Sequence, residues 1–133
     1  MTYFISGHRD LSLEDFKKYY IPKIREILEE DSYAEFVVGD CDGADKYAMD
    51  YIYNTTKKYI TIYHMFNSPR NIPKMYEPAH DILFRQLSFR SGFKSDEERD
   101  SAMTRDSNFD IAFVFNNRWN SGTAQNIKRR HDA

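Results

Sequence analysis

The chain has 133 residues with a formal net charge of −2, and 41% of its residues are hydrophobic. This length fits one domain with its own core. The near-neutral charge argues against a nucleic-acid backbone as partner, because such proteins usually carry a basic excess. The one cysteine excludes an intramolecular disulfide and a multi-cysteine zinc site.

The sequence also bears on location in the cell. No apolar run approaches the roughly 20 residues that a membrane span needs, so we expect no membrane contact. Strand-like sequence begins at Tyr3, which leaves no room for a signal peptide. A single cysteine suits a reducing compartment. These features predict a cytoplasmic protein.

The first part of the chain alternates short apolar runs with a helical pattern. Residues 3–5 predict the first strand, and residues 36–38 predict the second. Between them, Ser12 is typical of a helix N-cap, and apolar residues recur at spacings of three or four over residues 16–28. Pro22 interrupts this stripe, which predicts a kink or a break into two helices.

The middle of the chain is less regular. Residues 44–53 predict a second helix, and residues 59–63 predict a third strand. The stretch 67–91 shows no clear period and holds three of the four prolines. A loop of this length in a compact domain is usually a lid or a binding loop. Within it, residues 79–87 are compatible with a short helix.

The last part of the chain returns to the alternation of helix and strand. Ser95 and Glu98 form an S-x-x-E capping box, which predicts a helix to about residue 107. The continuous apolar run 111–115 is typical of a strand buried on both faces. A short basic helix over residues 126–130 follows. Strands that alternate with helices predict an α/β fold of three layers, in one domain over residues 1–133.

Three small residues after the last predicted strand indicate an anion site. Ser121, Gly122 and Thr123 form a turn that opens the C-terminal helix. Ligands of parallel α/β sheets bind beyond the carboxyl ends of the strands. Free backbone N–H groups and the helix dipole favour an anion there, most often phosphate. The alternative is structural, with Thr123 as the N-cap and Gly122 as a turn residue.

A second polar segment, consisting of Ser6, Gly7, His8 and Arg9, follows the first predicted strand. Arg9 is suited to binding a phosphate or a carboxylate through two parallel hydrogen bonds. The alternative is a tight turn in which Arg9 pairs with a nearby acid. The position of the segment at a strand end favours ligand binding.

A third segment follows the second predicted strand, where Gly39 and Gly43 flank Asp40 and Asp42. These two carboxylates suit hydrogen bonds from ribose hydroxyls, general-base catalysis or a divalent metal. No third carboxylate is spaced to complete a metal site. We therefore expect no metal and no other cofactor.

Further candidates lie in or near the predicted helices. Asp45 falls in a first helical turn, where the dipole favours an acid, so it is a ligand-binding or a structural residue. Cys41 is a candidate nucleophile or a packed cysteine. Arg99 and Asp100 lie in the first turn of the capped helix, and Met103 shares a face with Arg99. If that face borders the pocket, Arg99 contacts the ligand and Met103 packs beneath it. The alternative is a solvated, charged helix, with Met103 as a core residue.

These motifs, in this order, resemble those of the SLOG superfamily of Rossmann-like domains, which includes the LOG phosphoribohydrolases and the DprA-type domain. The stretch 39–45 is similar to the G-x-x-x-G-A-D signature of small stand-alone, YspA-related members. The resemblance covers nearly the whole chain. It implies a Rossmann-like three-layer sandwich with a mainly parallel central sheet, a nucleotide ligand with its phosphate at Gly122 and Thr123, and a homodimer or higher homo-oligomer.

One departure from the family pattern concerns catalysis. In LOG enzymes the glycine-rich motif reads P-G-G-x-G-T-x-x-E, and its glutamate acts with an arginine in hydrolysis of an N-glycosidic bond. Arg99 matches that arginine, and Gly122 and Thr123 match the G-T pair. Asn126 stands where the glutamate is expected. An amide cannot act as a general base.

The sequence therefore leaves three functions open. The leading one is binding of a nucleotide or a nucleotide-derived phosphorylated ligand. The second is hydrolysis of the N-glycosidic bond of a nucleoside monophosphate, with Arg99 on the phosphate and Asp40, Asp42 or Asp100 as the catalytic carboxylate. The third is a nucleotide-sensing module whose assembly with a partner changes with ligand.

Overall fold

The computed structural model describes residues 1–132, and for residues 82–84 it describes the backbone alone. Its five strands are β1 (Thr2–Ser6), β2 (Glu35–Val38), β3 (Ile60–Tyr63), β4 (Leu87–Arg90) and β5 (Phe109–Ala112). They form one sheet in the order β4-β3-β2-β1-β5. Every neighbouring pair is parallel. The predicted α/β fold with a mainly parallel sheet is confirmed, and the sheet is parallel throughout.

The described residues form six α-helices. They are α1 (Leu13–Asp15), α2 (Ile21–Glu30), α3 (Ala44–Asp50), α4 (Pro78–Phe84), α5 (Asp96–Arg105) and α6 (Gly122–Asp132). The π-helical segments Phe16–Tyr20 and Tyr51–Thr56 continue α1 and α3. Over residues 1–132, no helix combines the length and the apolar character that crossing a membrane requires.

Both faces of the sheet are covered. Successive strand residues point to opposite faces, so Ile5 packs on one face with Tyr20 of the first π-helical segment and Ala48 of α3. Phe4 packs on the other face with Met103 of α5. This arrangement gives the three layers of a Rossmann-like sandwich.

Local sequence signals explain where two helices begin. The Ser12 hydroxyl accepts a hydrogen bond from the Asp15 N–H at 3.1 Å, and the Ser95 hydroxyl accepts one from the Glu98 N–H at 3.0 Å. Both serines are N-caps, as the sequence predicts.

The interruption predicted at Pro22 is a change of helix type without a gap. The Ile21 N–H donates to the Phe16 carbonyl, which is the long-range bond of a π-helix. Pro22 lies in the first turn of α2. Because proline has no N–H, it cannot donate the next helical hydrogen bond to the preceding turn, and the helix type changes at this point.

Within the stretch 67–91, the short helix expected over residues 79–87 is present as α4. The edge strand β4, which pairs with β3, was not predicted. In β4 only Leu87 is buried, and the strand ends at the exposed Arg90. A four-residue edge strand with one buried residue gives too weak an alternation to be recognised.

The apolar run 111–115 that predicts the last strand begins after the start of β5 and extends beyond its end. Beyond the end of β5, side chains instead of a neighbouring strand accept hydrogen bonds from the backbone. The Tyr20 hydroxyl accepts a hydrogen bond from the Phe113 N–H at 3.3 Å, and His8 Nε2 accepts one from the Phe115 N–H at 3.0 Å. Both phenylalanines still pack against the core, which explains the apolar signal. The C-terminal helix α6 is longer at both ends than predicted.

Candidate functional site

The loops that follow β1, β2 and β5 border a cavity of about 250 Å³, with α5 and α6 as its other walls. All but three of the predicted site residues line this cavity. The residues that line it are Ser6, Gly7, His8, Arg9, Gly39, Asp45, Arg99, Asp100, Ser121, Gly122 and Thr123. Segments far apart in the sequence therefore meet around one cavity.

Two glycines allow the loops to approach each other. Gly43 has a φ of 70°, and a Cβ there would lie 2.4 to 2.5 Å from backbone atoms of His8 and Arg9, which is too close without a shift. A Cβ at Gly39 would lie 2.7 Å from Asp45 Oδ2. Gly43 thus joins the loop after β2 to the loop after β1, and Gly39 leaves room for a carboxyl group at the cavity wall.

The start of α6 presents backbone donors at the cavity. The Ser121 hydroxyl accepts a hydrogen bond from the Ala124 N–H at 3.2 Å and so caps the helix. Over residues 1–132, the N–H groups of Gly122 and Thr123 have no acceptor, as is usual in a first turn. The dipole of this 11-residue helix adds partial positive charge at the same end.

Ser6 has a buried hydroxyl without a hydrogen-bond partner in the described part of the chain. Ser6 follows Phe4 by two positions, so both side chains lie on the same face of β1. Both residues line the cavity. Buried polar atoms are nearly always paired, so this hydroxyl is an unusual free hydrogen-bonding group at the cavity wall.

Asp45 and Cys41 lie side by side at the cavity wall. Asp45 Oδ2 accepts a hydrogen bond from the Cys41 N–H at 3.1 Å. Burial raises the pKa of Asp45 to about 7, although the charge of Arg99 opposes this shift. Burial and the Asp45 charge also raise the pKa of the Cys41 thiol. The thiol is therefore protonated near neutral pH, which disfavours its interpretation as a nucleophile.

Arg99 is a buried cation on the cavity wall. Its guanidinium donates to Asp100 Oδ1 from Nη2 at 3.1 Å and from Nε at 3.2 Å. Burial acts to lower the pKa of Arg99, but the charges of nearby acids, first of all Asp100, outweigh burial and raise that pKa above its usual value. Arg99 therefore stays charged. Burial raises the pKa of Asp100 despite the two hydrogen bonds from Arg99.

Asp40 does not line the cavity but holds two arginines in place. It is fully buried, and it accepts hydrogen bonds from the Arg70 N–H at 2.7 Å, Arg70 Nη2 at 2.9 Å and Arg99 Nη1 at 3.2 Å. Burial acts to raise the pKa of Asp40, but the hydrogen bonds and charge of Arg70 outweigh it and lower that pKa. Asp40 is therefore an ionised anchor with no open face for a substrate.

The other two predicted residues that do not line the cavity are Asp42 and Gly43. Asp42 is exposed and accepts a hydrogen bond from Asn71 Nδ2 at 3.0 Å. Gly43 acts through the loop contact described above. Neither Asp42 nor Asp40 is placed to reach a ligand in the cavity.

His8 is a structural neutral imidazole in this arrangement. Burial and the positive charge of Arg118 lower its pKa. Its Nε2 accepts from the Phe115 N–H and so fixes the chain that leads from β5 to α6. His8 therefore helps to form the cavity wall, and this nitrogen is not free to bind a ligand.

Two polar residues at the cavity were not predicted as site residues. Arg118 Nη1 donates to Asp10 Oδ1 at 2.6 Å. Asn126 Oδ1 accepts from Arg129 Nη1 at 2.6 Å, which leaves its Nδ2 donor without a partner among the described residues. Arg118 could have been found from its position after the last strand. For Asn126, the signals were its match to the position of the glutamate in the LOG motif and its spacing of three residues from Thr123 on the same helix face.

Comparisons with protein-family models, with curated proteins and with solved structures gave no match. Among residues 1–132, no three His, Cys, Asp or Glu side chains are grouped so that they could hold a metal ion. The function of the cavity must therefore be argued from its own geometry.

Proposed function

We propose that the protein binds a nucleotide or a nucleotide-derived phosphorylated ligand in this cavity, with a phosphate at the start of α6. The observation that supports the proposal is that the N–H groups of Gly122 and Thr123 lack hydrogen-bond acceptors among the described residues. They lie at the cavity together with the Ser6 hydroxyl, which also lacks a partner there. Such a set of donors, reinforced by a helix dipole, suits a phosphate group.

The rest of the cavity suits a sugar. Asp100 and Asp45 supply acceptors for hydroxyl groups, and Phe4 and Met103 supply apolar surface. A volume of about 250 Å³ lies just below the range of roughly 300–1,000 Å³ that is usual for small-molecule sites. The cavity therefore fits a phosphorylated ribose, with the base projecting past the exposed rim. The similarity of the motif order to that of SLOG domains supports the same class of ligand.

The proposal can be tested by thermal unfolding with nucleoside monophosphates, ADP-ribose and NAD. A ligand at 100 times its dissociation constant adds about 2.7 kcal/mol of stability, which moves the midpoint upwards. If none of these compounds moves the midpoint, the proposal is wrong.

A matched pair of variants tests where the phosphate binds. Gly122→Pro removes one N–H donor at a position where proline is favoured, and Gly122→Ala keeps that donor. A Cβ at Gly122 meets no atom within 4 Å, so neither change crowds the site at that atom. We expect the proline variant to bind the nucleotide about tenfold more weakly than the alanine variant. Equal affinities would place the phosphate elsewhere.

A second function, hydrolysis of an N-glycosidic bond, is supported by the two carboxyl groups at the cavity wall. The Asp45 carboxyl has a pKa of about 7, so it holds a proton near neutral pH that a departing base can accept. The Asp100 carboxylate, held by Arg99, is suited to stabilise positive charge that develops on the sugar. Release of free base from nucleoside monophosphates, and its loss in Asp100→Asn, would distinguish catalysis from binding alone.

A further inference from the structure

Three arginines from different parts of the chain converge on one carboxylate beside the cavity. Asp96, at the start of α5, lies 3.4 Å from Arg99 Nη1, 3.6 Å from Arg70 Nη2 and 3.6 Å from Arg9 Nη2. Arg9 comes from the loop after β1, Arg70 from the stretch between β3 and α4, and Arg99 from α5. Three guanidinium groups thus share a single exposed acid.

The pairing with Asp96 is loose. All three distances exceed the 2.7–3.2 Å range of good hydrogen bonds, and Asp96 makes no side-chain hydrogen bond to any described residue. The Asp96 side chain is 53% exposed, and the Arg9 side chain is 61% exposed. An ion pair that is exposed on both sides, such as Arg9–Asp96, contributes little to stability. Arg70 and the buried Arg99 also pair with Asp40, so they keep a counter-ion when Asp96 leaves.

Arg70 and Arg99 are held in place without Asp96. Asp40 accepts hydrogen bonds from both Arg70 and Arg99, and Asp100 accepts two more from Arg99. Over residues 1–132, the Arg9 guanidinium makes no hydrogen bond. If Asp96 moves away, Arg70 and Arg99 stay in position on Asp40, and the donors of the exposed Arg9 are free for a ligand.

Two of the three arginines border the same cavity as the start of α6, whereas Arg70 does not line it. Arg9 and Arg99 line that cavity, as do Gly122 and Thr123. We propose that Arg9, Arg70 and Arg99 form a second anion subsite, which Asp96 fills as an internal counter-ion until a ligand displaces it. The inference rests on the proposed function and adds a ligand class, namely nucleotides that carry a second phosphate group.

The test compares nucleotides with one and with two phosphates. Dissociation constants are measured by calorimetry, in metal-free buffer, for the 5′-mono- and 5′-diphosphates of adenosine, guanosine, cytidine and uridine, and for adenosine 3′,5′-bisphosphate. We expect a two-phosphate nucleotide to bind more tightly than its monophosphate. The diphosphate and the bisphosphate arms distinguish a second phosphate on the 5′ chain from one on the ribose.

Two variants of the first turn of α5 isolate Asp96. Asp96→Asn and the matched control Glu97→Gln each remove one negative charge from the same turn, but Glu97 has no hydrogen bond or ion pair with a described residue. We expect Asp96→Asn to raise the affinity ratio of two-phosphate to one-phosphate nucleotides about tenfold, and Glu97→Gln to leave it unchanged. Arg9→Gln should bring the ratio close to one.

The outcomes separate the two proposals. If monophosphates and two-phosphate nucleotides bind equally well, and Asp96→Asn and Glu97→Gln behave alike, the second subsite is wrong and the proposed function stands. If Arg9→Gln weakens both classes by the same factor, the second subsite is also wrong. If no nucleotide binds the wild-type protein, both proposals fall together.

Discussion

The Arg130 side chain, near the C-terminal end of α6, differs from the donors at the N-terminal end in how completely it is paired. At the C-terminal end, Arg130 donates hydrogen bonds to the Thr104 carbonyl at 3.0 Å, to the Ser107 carbonyl at 2.8 Å and to the Asp110 carboxylate at 2.9 Å. This single side chain joins α6 to the turn between α5 and β5. Its bonds are complete without any ligand.

At the N-terminal end, the N–H groups of Gly122 and Thr123 and the hydroxyl of Ser6 have no partner among residues 1–132. Folding therefore pairs the Arg130 side chain near one end of the helix and leaves donors open at the other. Paired groups of this kind stabilise the fold, whereas our proposal assigns the unpaired groups beside the cavity to ligand binding. Three substitutions test this division.

The largest effect is expected at the paired end. Arg130→Ala leaves the Asp110 carboxylate and two carbonyls without their donor, so the free energy of unfolding should fall by about 3 kcal/mol. Chemical denaturation measures this change, and nucleotide affinity should stay the same. The control Lys128→Ala removes a cation from an exposed position of the same helix. A loss of nucleotide affinity without a loss of stability in Arg130→Ala would show that Arg130 acts in binding and not in stabilising the fold.

A smaller effect is expected at the cavity wall as the pH changes. The pKa of Asp45 is about 7 in the folded protein and about 3.9 in an unfolded chain. The folded protein thus holds one more proton between these values, so this contribution to stability is complete below about pH 4 and is lost as the pH rises through about 7.

Asp45→Asn removes that dependence, because an amide does not titrate. Between pH 5 and pH 6.5 we expect the wild-type protein to lose about 2 kcal/mol of unfolding free energy relative to the variant. Urea unfolding across this range measures the difference. A constant difference between the two proteins would show that Asp45 does not titrate there.

The smallest effect is expected at Ser6. Ser6→Ala removes a buried hydroxyl that has no partner, so the protein should gain about 1 kcal/mol of stability, while nucleotide affinity should fall. Thermal unfolding with and without nucleotide measures both changes. If stability falls and affinity is unchanged, the hydroxyl has a structural role, and the comparison between the two ends weakens.

Much of the fold was predictable from the sequence because its signals are local. The buried runs of β1, β2 and β3 are strongly apolar, and Ser12 and Ser95 are N-caps that depend on residues only three positions away. The edge strand β4 was missed because its pairing with β3 is a long-range contact that its own residues barely encode. The predicted homo-oligomer, cytoplasmic location and SLOG relationship stay predictions.

The candidate site was predictable in position but not in detail. The rule that ligands bind at the carboxyl ends of strands identified the segments around Gly7, Gly39 and Gly122, which the structure brings together. The sequence could not show that Arg70 donates hydrogen bonds to the Asp40 carboxylate, because Arg70 lies in a stretch without periodicity. Pairing between distant charges is decided by tertiary structure, so Asp40 was predicted to be catalytic although it is a buried anchor.

The most direct test of the account follows the backbone N–H groups at the start of α6. In a ¹⁵N-labelled sample titrated with a nucleoside monophosphate, the amide signals of Gly122 and Thr123 should shift more than any others, and those of Lys128 should stay in place. Such a result would put the phosphate on the unpaired donors. Binding that moves signals elsewhere, while Gly122 and Thr123 stay unchanged, would contradict the account.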